Sequence, residues 1–176
     1  TDANKRPDGG FHASVSDRSF SETDRSEYLV AKARLLAGRA LAYELAQRWS
    51  SAVAEYDDAI ATAARAGAPA DPLILNQRAN ALAQSGDWAA ARLAYLQSAQ
   101  GFRDASKRPL ASSGRSGSSP RDAKFRADGV AFASSNAALA LAELGDLRGA
   151  ELELLAVSRR APGLGDARAA LAALYW

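Results

Sequence analysis

A short helical register recurs along this 176-residue chain. Ala40, Trp49, Ala52, Tyr56 and Ala59 return 39 residues later as Ala79, Trp88, Ala91, Tyr95 and Ser98. A third copy reads Ala138, Leu147, Ala150, Leu154 and Val157. A fixed period sets the architecture first, because each unit must bury its apolar face against the next. Stacked helical units mostly build binding surfaces, so the period also argues against catalysis.

Composition agrees with an all-α chain. Apolar residues are 48% of the total, enough for a core, and alanine dominates them. Alanine is the best helix former and allows helices to approach closely. Net charge is only +2 and spread over both signs, which gives no nucleic-acid footprint by itself. There is no cysteine, so disulfides, thiolate chemistry and cysteine metal sites are excluded. No apolar run approaches the length of a membrane span. No methionine stands at position 1, so Thr1 reads as a processed or truncated start.

The punctuation divides the chain. Residues 1–26 are polar, with Pro7, Gly9 and Gly10, and read as an extended N-terminal arm. The arm is either a loose terminus or a segment that orders on a partner, with Phe11 and Phe20 as anchors. Residues 27–66 form a first helical hairpin, and Gly67-Ala68-Pro69-Ala70-Asp71 ends it. A second hairpin covers 72–105, with Pro72 in a first helical turn and Ser85-Gly86-Asp87 as its bend. A Ser/Gly-rich insertion over 106–127 carries Lys107, Arg108, Arg115, Arg121, Lys124 and Arg126. A third hairpin covers 128–162 and turns at Leu144-Gly145-Asp146-Leu147. A partial fourth unit, 163–176, stops at Tyr175-Trp176, so the natural chain is expected to continue or to meet a partner there.

These residues resemble the tetratricopeptide repeat. The second copy fits as Leu75, Ala79, Leu82, Gly86-Asp87-Trp88, Ala91 and Tyr95. The third fits as Ala138, Leu141, Gly145-Asp146, Ala150, Leu154 and Pro162. The first copy has Gln47 where the turn glycine belongs, and Arg39 and Arg78 replace the usual leucine. The resemblance implies a right-handed superhelix of three helix–turn–helix hairpins plus the first helix of a fourth. Residues 132–176 look more narrowly like tetratricopeptide proteins of chloroplasts and cyanobacteria. That likeness implies a plastid protein associated with thylakoid complexes.

In such repeats the concave face binds the partner. Carried onto this chain, its positions are Arg34 and Glu44, then Asn76, Gln77, Asn80 and Gln84, then Ser135, Asn136 and Glu143. Asn76, Asn80 and Gln84 fall at helical spacing, and amides both donate and accept, which suits an extended peptide backbone. The alternative is a solvated helix face. The positions that clamp a chaperone's terminal carboxylates in the family are here Ala37, Leu41 and Leu139, which cannot hold one.

Catalytic groupings are missing from the sequence. His12 is the single histidine. Glu151 and Glu153 lie two apart and do not share a helix face. Gly114 and Gly117 lack the strand, helix and lysine of a phosphate loop. The basic insertion reads as a solvated linker, a contact for an acidic protein or anionic membrane surface, or a phosphorylation site at Ser119-Pro120.

The chain therefore reads as a non-catalytic protein-interaction scaffold that needs no cofactor or metal. Its narrowest form is an assembly factor or accessory subunit of a chloroplast photosynthetic complex, with peripheral membrane contact and no transmembrane segment. The alternatives are a general adaptor for an extended peptide and, less favoured by the charge distribution, a nucleic-acid binder.

Overall fold

A computed structural model describes residues 21–107 and 120–175. The arm with Phe11 and Phe20, the segment with Arg108 and Arg115, and Trp176 lie outside the described residues. Within them the protein is all-helical: α1 (Glu22–Leu45), α2 (Trp49–Arg65), α3 (Pro72–Gln84), α4 (Trp88–Lys107), α5 (Pro120–Glu143), α6 (Leu147–Arg160) and α7 (Gly165–Leu174). The helices pair in chain order as α1–α2, α3–α4 and α5–α6, and each pair packs on the next. α7 packs on both α5 and α6.

Four of the five recurring positions are core, while the position at the turn is not, with Trp49 and Trp88 half-buried and Leu147 exposed. Ala40, Ala79 and Ala138 are completely buried, as are Ala52, Ala91 and Ala150. With only a methyl at these positions, the two helices of each hairpin can approach closely, and a larger side chain would overpack the contact. The fourth register position fills the space toward the next hairpin. Tyr56 clusters with Ala81 of α3, Tyr95 with Ala137 and Ala140 of α5, and Leu154 with Ala167, Ala170 and Leu171 of α7. The core is thus a row of linked clusters, as stacking of insufficient units requires.

Three hairpin turns share one backbone solution. Arg48 N–H donates to Tyr43 O at 2.9 Å, Asp87 N–H to Leu82 O at 3.0 Å, and Asp146 N–H to Leu141 O at 3.1 Å. This helix-ending motif needs a left-handed residue. It is Gly86 at φ 87° and Gly145 at φ 93°, but Gln47 at φ 55° in the first turn. The first turn is also weaker on its other side. Asp87 and Asp146 accept from Ala90 N–H and Gly149 N–H, whereas Arg48 makes no side-chain cap.

Three boundaries differ from the sequence expectation. α1 begins at Glu22 and takes in the last five residues of the expected arm, because Ser21 and Asp24 close a reciprocal capping box. Residues 120–127, expected as insertion, are the first two turns of α5. Basic composition hid a helix there. Lys124 pairs with Asp128 one turn on at 2.6 Å, Arg126 donates to Ala105 O at 2.8 Å, and Phe125 packs on Phe102. Lys107 likewise belongs to α4 and pairs with Asp104 at 3.2 Å.

Between hairpins the described charges form specific links. Arg78 of α3 meets Asp57 of α2 at 2.5 Å. Arg92 of α4 grips Glu153 of α6 through two hydrogen bonds at 2.8 and 3.1 Å and also donates to Ala137 O on α5.

The turn chemistry makes a direct prediction. A non-glycine residue in the left-handed region costs roughly 1–2 kcal/mol. Gln47→Gly is therefore expected to stabilise the fold by about 1 kcal/mol in chemical denaturation, and Gly86→Ala and Gly145→Ala to destabilise it by a similar amount. A destabilised Gln47→Gly variant would contradict this account of the turns.

Candidate functional site

The residues expected on a shared groove are dispersed by the structure. Arg34 is exposed and lines a cavity of about 210 Å³ with Val30, Ile60, Asp71 and Ile74. Gln84 is exposed beside the first turn, near Gln47, Arg48 and Trp49. Gln77 and Asn136 are half-buried, and Glu143 is exposed. Ser135 is buried and its hydroxyl donates to Ala131 O within its own helix. The three amides do not form one free face. Asn80 accepts from the Tyr95 hydroxyl at 2.7 Å, and Asn76 is buried at 7% exposure. Helical spacing put them on one side of α3, but that side is largely covered by packing. Among the basic residues, Lys107, Lys124 and Arg126 have the partners described above, and Arg121 is exposed.

Asn80 belongs to a polar cluster inside the stack. Glu44 of α1, Tyr56 of α2 and Tyr95 of α4 converge there. Burial, and then the Glu44 charge, push both tyrosine hydroxyls up, Tyr95 to about 12. Burial also raises the Glu44 carboxyl above the usual carboxylate range, with Tyr56 partly opposing it. Glu44 Oε1 and the Tyr56 hydroxyl influence each other's protonation, yet neither has a hydrogen-bond partner of ordinary geometry. This cluster is interior packing, not an opening.

The opening lies at the other end of α3. Leu73 and Asn76 of α3, Phe102 of α4, four residues of α5, and Leu164 and Asp166 at the start of α7 line a cavity of about 270 Å³. The α5 residues are Phe125, Asp128, Gly129 and Phe132. Their spacing of 0, 3, 4 and 7 places them on one helix face. Phe102 and Phe125 meet edge to face, with centroids 6.3 Å apart. Gly129 allows this arrangement: a Cβ there would lie 2.8 Å from three atoms of the Phe102 ring. Phe102 is buried, but Phe125 and Phe132 remain 55% and 41% exposed.

The polar groups of this cleft are few. Asn76 Oδ1 is buried without a hydrogen-bond partner. An unmade bond at a buried amide costs about 1–3 kcal/mol, so the fold tolerates a real penalty here. Asp128 is engaged by Lys124, while Asp166 has no ion-pair or hydrogen-bond partner among the described residues. The arrangement is an apolar recess with two acids at its edge. It offers no nucleophile–base pair, and no group of three or more metal-ligating side chains stands together among the described residues. Sequence reasoning missed the cleft because Phe125 fell within a segment assigned as linker. The recoverable signal was Phe125-x-x-Asp128-Gly129-x-x-Phe132.

The half-buried Glu44 supplies a test. A carboxyl raised on folding holds its proton more tightly in the folded chain. Its contribution is therefore favourable on the acid side and declines as pH rises from the unfolded-state value through the folded one. Glu44→Gln is expected to be more stable than the parent at about pH 7, with the gap in Tm narrowing toward about pH 4. A variant less stable than the parent at neutral pH would refute this.

No protein-family model, no curated protein and no solved structure matches this chain.

Proposed function

We propose that this chain is a helical-repeat docking scaffold of the tetratricopeptide type, acting by holding a protein partner and carrying out no reaction. The α5 face that presents Phe125 and Phe132 before Phe102 is the single observation that carries this reading. Two large rings left half-exposed on one helix, beside a buried amide with an open valence, fit a surface awaiting a partner. The repeated register supports the same class, since stacked hairpins display surfaces contributed by several units at once.

The cleft draws on the second hairpin, on α5 of the third and on the start of α7, so a peptide laid in it would bridge units that the fold only links pairwise. The proposal calls for no cofactor. Among the described residues no helix is long and apolar enough to cross a membrane. Service to a chloroplast photosynthetic complex is the narrowest form of the proposal, and the likeness of residues 132–176 alone supports it. A nucleic-acid role loses support from Lys107, Lys124 and Arg126, which satisfy internal partners.

Affinity capture with paired variants tests this reading. Phe125→Ser/Phe132→Ser should lose a co-purifying protein that the parent and Leu93→Ser retain. Leu93 is a matched control because it is 64% exposed and lies away from the cleft lining. Equal retention by both variants would remove the cleft from the proposal. Thermal melts should show both variants folded, with Leu93→Ser within about 0.5 kcal/mol of the parent and the double variant lower by roughly 1–2 kcal/mol for its lost contact with Phe102.

A further inference from the structure

The chemistry of the cleft narrows what it takes. This step rests on the docking role proposed above. Every charged side chain lining the cavity is an acid, Asp128 or Asp166. Lys124 already pairs with Asp128, which leaves Asp166 as the carboxylate without a partner among the described residues. Opposite these acids stand the rings of Phe102, Phe125 and Phe132 and the side chains of Leu73 and Leu164.

An aromatic floor with an acidic edge suits one kind of side chain. A cation over an aromatic face is attracted by the ring's electron-rich surface. Guanidinium does this better than ammonium: it is flat, more weakly hydrated, and matches a carboxylate with two parallel donors. A lysine would gain the charge but lose the stacking and the fork. A purely apolar group would leave Asp166 and the Asn76 oxygen as they are. An acidic segment would meet Asp128 and Asp166 with like charge.

The buried amide is an independent pointer. Asn76 is more than nine-tenths buried, lines the cavity, and its Oδ1 lacks a donor. That oxygen is closed off in this conformation, so it gains an arriving N–H only as the Asn76 side chain turns toward the cavity. Guanidinium and peptide N–H groups both supply one.

We propose that the cleft binds an arginine followed by a large apolar residue, carried on a short segment of a partner protein. The guanidinium lies between the Phe rings and Asp166, and the neighbouring apolar side chain packs against Leu73 and Leu164. A cavity of about 270 Å³ has room for side chains but not for a folded element, which is why the occupant is a short segment.

The probe is N-acetyl-Arg-Phe amide, compared with N-acetyl-citrulline-Phe amide, which keeps the shape and removes the charge. Both are titrated into the full chain while backbone NMR shifts are followed at Leu73, Asn76 and Gly129. The arginine probe should move these signals and bind about five- to tenfold more tightly than the citrulline probe, a difference near that of one favourable charge contact. Asp166→Asn should erase most of that difference while leaving citrulline binding unchanged. Raising salt should weaken only the arginine probe.

Equal binding of the two probes would overturn the arginine assignment and leave the docking role standing. Absence of cleft shifts with either probe would overturn both. Two other occupants would also refute the inference. Cleft signals that move with protein concentration alone would assign the cleft to a second copy of the chain. Cleft signals that move on Phe11→Ala or Phe20→Ala, with no probe present, would assign it to the chain's own arm.

Discussion

Everything in this fold depends on how closely paired helices approach at alanine. Ala40 with Ala52, Ala79 with Ala91, and Ala138 with Ala150 are fully buried, and each pair marks a hairpin. A methyl at the contact leaves no room for adjustment, so the spacing of each hairpin is held by the smallest side chains available. The larger partners then act as spacers. Tyr56, Tyr95 and Leu154 each reach the following unit and carry the hairpin spacing forward along the stack. The turns conserve this geometry at the far end, and the strained Gln47 shows that the backbone solution is required even without a glycine.

A rigid period makes departures from it visible. α4 runs to Lys107 and α5 starts at Pro120, so both helices extend beyond their hairpin partners. The overhang carries Phe102 and Phe125, which pack on each other where no register alanine stands. The cleft forms beside that contact, between the starts of α3 and α7. Small residues close the stack along its length; aromatic residues leave it open at this point. Gly129 joins the two regimes, because without its missing side chain the Phe102 ring could not lie against α5.

Most of the fold was legible because its signals are local and periodic. Ala40, Ala79, Ala138 and their partners sat at repeating positions, and all of them are core. Gly86 and Gly145 marked turns by chemistry that only a left-handed position needs. The site was much less legible. Asn76, Asn80 and Gln84 share a helical face in sequence, but which side of that face is covered depends on α4. Tyr95, fifteen positions away, takes up Asn80. Phe125 was hidden by its basic neighbours, since composition reports charge and not the face that charge occupies. The Arg92–Glu153 link spans 61 positions, and no local pattern announces it.

Central to this account is the claim that the α5 aromatic face receives a partner. A photoreactive phenylalanine analogue placed at position 132 of the full chain tests it most directly. The account predicts irradiation in the source cells to yield one dominant adduct, mapped to a segment with an arginine beside a large apolar residue. The same analogue at Leu93 should not give that adduct. An identical adduct pattern from both positions, or adducts only with further copies of this chain, would contradict the claim.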